Sequence, residues 1–444
     1  MAFRKFFGRG SSEPAPPPPV DEAEEPDEDT DEEGGVPEAL PDENEVDEDW
    51  RTRAAAVIPG GTSTGSKRPA GLYGEATTTG PSHYMRATGC RLITASEREI
   101  IDCTMALGSV SLGYADDGVV RAVVQAVAAG NTAGLAHVYE VEVAERLCDI
   151  IPCAERVRFL KTGAEAVSAA VRIARTVTGR SSVICCGYFG WHDWSNTGAG
   201  IPAGASMQVR RVDFDDVPGL VAAVAAAGTD LAAIVLEPVI ERMPSPEWIA
   251  EARSACDRAG AVLVLDEMKT GFRLATGGYH QLADVKPDLA VFGKAMACGL
   301  PVAAVVGSAA VMDAAADTWI SSTLAGESSS LAAVAAVLER YDEVDVCASL
   351  ARVGGLMRTS LENAIGASGV SGVTVDGLDP MWLLRFEDPL LETHFLERAA
   401  TSGVLFKRGA YNYPALAHDD DEILAEIERV ASTAFVEVLE EGQG

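Results

Sequence analysis

Two apolar runs, each ending on a charge, constrain this chain more than any other feature. Leu263-Val264-Leu265 leads into Asp266-Glu267, and residues 289–292 lead into Gly293-Lys294. Aliphatic runs without polar alternation are the pattern of strands buried on both faces, as parallel sheets require. Open α/β sheets bind ligands at the carboxyl ends of their strands. Both charges are therefore expected at the working edge of one sheet. Comparable runs at 157–160, 182–186, 231–236, 261–265 and 303–306 also read as strands, and helical periodicity marks 118–129, 141–150 and 164–178. Strands alternating with helices predict an α/β fold, a mostly parallel sheet covered on both faces. After about Ser330, long helices give way to short segments, including 380–386. That suits a smaller α+β C-terminal domain.

An acid and a lysine at one sheet edge suit pyridoxal phosphate (PLP). The lysine forms a Schiff base, and the acid pairs with the pyridinium nitrogen so that the ring accepts electrons. By spacing alone, an acid capping a helix and a lysine reaching to solvent read equally well. The surrounding residues separate the two. Asp266-Glu267-Met268-Lys269-Thr270-Gly271-Phe272-Arg273 and Phe292-Gly293-Lys294-Ala295 resemble class III aminotransferases of PLP fold type I. Pro59-Gly60-Gly61, Lys161-Thr162-Gly163-Ala164-Glu165-Ala166, Leu236-Glu237-Pro238, Ser322-Thr323-Leu324-Ala325-Gly326 and Gly403-Val404-Leu405-Phe406 follow in the family's order. The wording is most similar to the glutamate-1-semialdehyde aminomutase subgroup, over residues 58–434.

That resemblance implies roles residue by residue. Lys294 is the Schiff-base lysine and proton carrier, and Asp266 is the pyridinium partner; Glu267 is expected to bond structurally. Thr162-Gly163-Ala164 opens a helix, where backbone N–H groups and a close glycine favour phosphate. Family members carry Ser or Thr at Ala164, so one phosphate hydroxyl is missing. Tyr188 matches the aromatic residue that stacks on the cofactor ring, while Phe189 stands where histidine is usual. Trp191, His192 and Trp194 read either as substrate-pocket or as core aromatics. Thr323 matches the residue that reaches the partner subunit's phosphate, although Glu327-Ser328 replaces the usual Asn-Pro. Lys67 falls near the family's substrate-anion arginine, or is a solvated surface lysine.

The chain's 444 residues accommodate a large core. The partition expected is a disordered acidic, proline-rich tail (1–50), an N-terminal segment (51–105), a large PLP-binding domain (106–330) and a small domain (331–444). Residues 1–50 hold 18 acids against 3 bases and carry Pro16–Pro19, too little apolar surface to offset ordering entropy. Docking of an unknown partner on this tail stays open beside simple solvation. The net charge of −32 argues against nucleic acid and anionic membranes as partners. The uncharged run 295–312 is broken by Gly299, Pro301 and Gly307, the pattern of buried strand and loop rather than a membrane span. Nine cysteines without a CxxC pair fit reduced thiols in a cytoplasmic protein, and the scattered histidines argue against a metal.

The resulting expectation is a homodimeric PLP-dependent aminotransferase with shared active sites. It would move an amino group from a small-molecule donor to a carbonyl substrate, with a sugar, cyclitol or other specialised metabolite as the acceptor. A glutamate-1-semialdehyde-type 2,1-aminomutase is the alternative, and a non-catalytic binding module a remote one. Leu107-Gly108-Ser109, Tyr188-Phe189 and Tyr411-Asn412-Tyr413-Pro414 all depart from the aminomutase pattern.

Overall fold

A seven-stranded sheet organises the molecule, a computed structural model that describes residues 42–75, 77 and 79–441. The strands in chain order are β1 (Tyr84–Thr88), β2 (Arg91–Thr94), β3 (Glu99–Asp102), β4 (Arg156–Leu160), β5 (Ser182–Cys186), β6 (Val209–Arg211), β7 (Leu231–Leu236), β8 (Val262–Asp266), β9 (Leu289–Phe292), β10 (Ala303–Gly307), β11 (Val373–Leu378), β12 (Met381–Phe386) and β13 (Val404–Leu405). The large sheet has the order β4-β10-β9-β8-β7-β5-β6, and only β10 opposes its neighbours. Strands β7 to β10 are buried at every position. Unbroken burial is why their sequences are continuously apolar.

Two hydrophobic clusters cover the two faces of this sheet. The helix Gly163–Thr178 contributes seven of its eight buried side chains to one of them. A capping box starts it: Thr162 Oγ1 accepts from the Glu165 N–H, and Glu165 accepts from the Thr162 N–H. Gly179, in the left-handed conformation, ends it. The uncharged run beginning at Ala295 becomes a short turn, a loop and β10. Among the described residues no helix is long and apolar enough to cross a membrane.

The chain's two ends share a second sheet, of order β1-β2-β3-β13. β13 pairs in parallel with β3 through Val404–Ile101 and Leu405–Asp102. The expected N-terminal segment and C-terminal domain are therefore laced together. β11 and β12 form a separate antiparallel hairpin packed on the helix Val346–Ser368.

The tail expected over residues 1–50 needs correction at its inner end. Its first 41 residues lie outside the described residues. Residues 43–50 belong to the helix Glu43–Val57. Charge density hid this helix because its acids have specific partners. Buried Asp47 pairs with Arg98 at 2.6 Å, Glu43 meets the same guanidinium at 3.2 Å, and Trp50 packs on His83.

Candidate active site

Five strand ends converge on one cavity of about 450 Å³. β8 ends on Asp266, and β9 delivers Lys294 two residues after Phe292; the strands are parallel neighbours with Asp266 opposite Val291. β7 is followed by Glu237, and β5 by Gly187-Tyr188. β4 lies beyond the reversed β10, so its end faces the same edge and supplies Lys161-Thr162-Gly163. Thr162, Gly163, Ala164, Tyr188, Asp266 and Lys294 all line the cavity, together with Trp191. At the helix start, the N–H groups of Gly163 and Ala164 have no intrahelical acceptor.

Burial shapes the electrostatics. The Asp266 carboxyl accepts a hydrogen bond from the Met268 N–H at 3.0 Å and has no ion-pair partner among the described residues. Burial first, and Glu237 second, push its pKa up to about 7. Lys294 is displaced the other way: burial lowers its proton affinity and Lys269 lowers it further. Lys294 also holds a positive φ of 47°. Such a backbone costs a non-glycine residue about 1–3 kcal/mol and persists where packing dictates the geometry.

Glycine positions set the wall beside the helix start. A Cβ on Gly190, whose φ is +83°, would stand 2.3 Å from the Ala164 Cβ. The loop after Tyr188 therefore presses directly onto Ala164, and any side chain at position 190 would collide with it. Tyr188 is 73% exposed at the mouth and Trp191 is 76% exposed. Phe189 turns into the core against Trp194.

Three expected site residues lie outside this cavity. His192 shares a 2.7 Å hydrogen bond with Ser168, which also accepts from Trp194 Nε1. Lys67 borders a separate cavity of about 130 Å³ walled by Tyr84, Leu92, Ile100 and Leu107. Thr323 borders a third, of about 460 Å³, with Gly130–Gly134, His137 and Arg158. Glu267 is fully buried and accepts from the N–H groups of Tyr279 and His280, from His280 Nδ1 and from the Thr270 hydroxyl, a structural arrangement.

Other cavity residues carried no expectation. Lys269 pairs with Glu237 at 2.6 Å, and Lys161 pairs with Glu327 at 2.6 Å. Glu327, where Asn is usual, also caps the helix Ser328–Glu343 by accepting from the Ser329 and Ser330 N–H groups. Ser109 reaches the cavity through a left-handed turn: Met105, Ala106 and Leu107 have φ of 41°, 49° and 59°, followed by Gly108 at 79°. Buried Arg273 holds that turn, donating to the carbonyls of Gly108, Pro380 and Pro414. A Met-Ala-Leu triplet gives no hint of left-handed backbone; the Lys–Glu pairs required knowing which strands are neighbours.

Known proteins resemble this chain over most of its length. A 3-aminobutyryl-CoA aminotransferase of Cloacimonas acidaminovorans (strain Evry) is 29% identical over 395 residues, 85% of this chain and 94% of its own. A glutamate-1-semialdehyde 2,1-aminomutase of Rhodopirellula baltica is 32% identical over 341 residues, 72% of this chain and 76% of its own. Among solved structures, the PLP-bearing FumI protein of Sphingopyxis sp. MTA144 superposes with a TM-score of 0.84 at 27% identity, covering 90% of this chain and 98% of that one. The pattern of the class-III aminotransferases matches residues 73–193 and 214–433. A sheet edge built this way, matched over most of its length by that pattern, places the chain in the class-III, fold-type I, PLP-dependent aminotransferase family.

Proposed function

We propose that this enzyme transfers an amino group to a neutral, polyhydroxylated or specialised-metabolite carbonyl compound, using Lys294 and Asp266 as the working pair. The residues present suit PLP: a buried acid without a cation partner for the ring nitrogen, a buried lysine of lowered proton affinity, and a helix start for the phosphate. Bound there, the cofactor supplies an aldehyde for amine capture and an electron sink for charge developing on the substrate carbon. Lys294 Nζ would hold the cofactor and, as a neutral amine, take and return the substrate proton. Asp266 would keep the ring nitrogen protonated, Tyr188 would cover the ring, and Thr162, Gly163 and Ala164 would receive the phosphate.

One observation carries the substrate reading. Among the described residues the cavity lining contains no arginine, and Lys161 and Lys269 are already paired with carboxylates. No cation there is left over for a substrate carboxylate, and Lys67 opens on a different cavity. This favours a neutral acceptor over the glutamate-derived substrate of the aminomutase reading. We also assign a homodimer in which Thr323 reaches the partner subunit's phosphate, since Leu135, Trp319 and Leu324 around it are 87%, 82% and 53% exposed. Nine free, mostly buried thiols support a reducing compartment such as the cytoplasm. The test is mass spectrometry of the purified protein with panels of amino donors and keto acceptors. Amination of keto-sugars or keto-cyclitols supports the assignment. Preference for keto-dicarboxylates as acceptors, or isomerisation of glutamate-1-semialdehyde without a donor, overturns it.

A further inference from the structure

Lys269 is the anomaly of the cavity. Its side chain is nine-tenths buried, a rare fate for lysine unless it is paired. The ammonium lies 2.6 Å from Glu237 Oε1 and 4.3 Å from the centroid of the Tyr411 ring, so a carboxylate and an aromatic face hold it together. Glu237 is equally constrained. Its Oε2 accepts the Tyr188 N–H at 3.1 Å, and a Cβ on Gly187 would come within 2.4 Å of the Glu237 Cβ. Neither charge can swing away, and both border the space that Lys294 and Asp266 face.

We propose that Lys269 and Glu237, paired at 2.6 Å on the cavity wall they share with Lys294, act as two opposed fixed charges that answer each other so that neither is presented alone to Lys294, making both of them positioning residues for the transfer reaction. The proposal rests on the assignment of Lys294 as the cofactor lysine. The charged groups acting on Lys294 come from several elements: Asp266 from β8, Lys269 and Arg273 from the turn after it, and Glu237 from the end of β7; Tyr411 and Tyr413, from the C-terminal segment, act on Lys269. Lys161 also borders the cavity but is paired with Glu327. Burial is the largest influence on Lys294, followed by Lys269, which opposes its protonation; Glu237 and Asp266 favour protonation and Arg273 opposes it. Within the pair the two effects have opposite signs and offset each other. Removing one member exposes the other.

The experiment titrates the visible absorbance of the cofactor-loaded protein with pH, together with the rate at which an amino donor bleaches it. Lys269→Met should raise the midpoint by about one unit or more, and Glu237→Gln should lower it. The double variant should return to within about half a unit of the parent, and Lys269→Arg should stay near the parent throughout. Pieces holding only shape would shift both single variants in the same sense, with losses accumulating in the double. Should Lys269→Met fail to load, Lys269→Gln under the same titration takes its place. Shifts of the same sign, or midpoints unmoved in both single variants, overturn the proposal. Lys294→Ala is run alongside: absorbance that survives it refutes the assignment of Lys294 itself, whatever the pair does.

Discussion

The strand-edge cavity and the cavity beside Thr323 have nearly the same volume, about 450 and about 460 Å³, yet they are built on opposite principles. The first gathers buried charges, most of them answered within the chain, around two that are not fully answered, Asp266 and Lys294. The second has glycines and hydroxyls on its walls beside His137, Glu140 and Arg158, and large apolar side chains exposed on its rim. Size therefore does not tell the candidate reaction centre from a surface of another kind; the distribution of burial and of unanswered charge does. Glu327 connects residues of the two walls without lining either cavity. Glu327 follows Gly326 on the wall of the second cavity and reaches Lys161 on the wall of the first.

The comparison breaks most sharply at Lys294. Lys294→Ala should abolish covalent cofactor loading and turnover while leaving thermal unfolding near the parent, checked by absorbance and calorimetry. Asp266→Asn comes next, with turnover falling on the order of 10²–10³-fold as charge stabilisation is lost. Stability should move the other way in the cofactor-free protein. Burial, with Glu237 second, raises the Asp266 pKa from 3.8 to about 7. A raised folded value gives stability that is complete below about 3.8 and lost as pH rises through about 7. Cofactor-free Asp266→Asn should therefore melt above the parent at pH 8, and the gap should close in acid.

A smaller effect tests the second cavity. Thr323→Ala should weaken cofactor retention by about 10–100-fold, as a hydrogen bond to a charged group contributes about 1.5–3 kcal/mol; equilibrium dialysis reads it. An unchanged affinity would separate the two cavities functionally. The smallest effect concerns Glu327. Burial works against its charge, but bonds from Lys161, Ser329 and Ser330 outweigh it and hold the pKa at about 2 instead of 4.5. A depressed folded value gives stability that is present above about 4.5 and lost as pH falls through about 2. Glu327→Gln should lower the Tm by about 1–3 °C at pH 7, and the deficit should shrink steadily in acid.

Legibility follows how local the determining physics is. β8 and β9 are readable because full burial removes polar residues from consecutive positions, and Asp266 and Lys294 are readable because each terminates such a run. The start of the helix Gly163–Thr178 is written in Thr162 and Glu165, three residues apart. β2 and β3, Arg-Leu-Ile-Thr and Glu-Ile-Ile-Asp, are too short and too charged to announce themselves, and their sheet is completed only by β13. The helix Glu43–Val57 is masked by acids whose partners, Arg98 above all, lie far along the chain. Lys269 and Glu237 sit 32 positions apart, and nothing between them says that β7 and β8 are neighbours.

The pairing of β13 with β3 also has a consequence in time. Val404 meets Ile101 across about three hundred residues of chain, so on the ribosome the N-terminal strands must wait for their last partner. At about 5–20 residues per second that wait is roughly 15–60 s. Tyr411 and Tyr413 emerge just after β13, and the Tyr413 N–H bonds back to the Cys103 carbonyl. Closing the small sheet and completing the wall beside Lys269 are thus late events of synthesis. A nascent chain stalled before residue 404 would lack both the last strand of the small sheet and the aromatic wall beside Lys269.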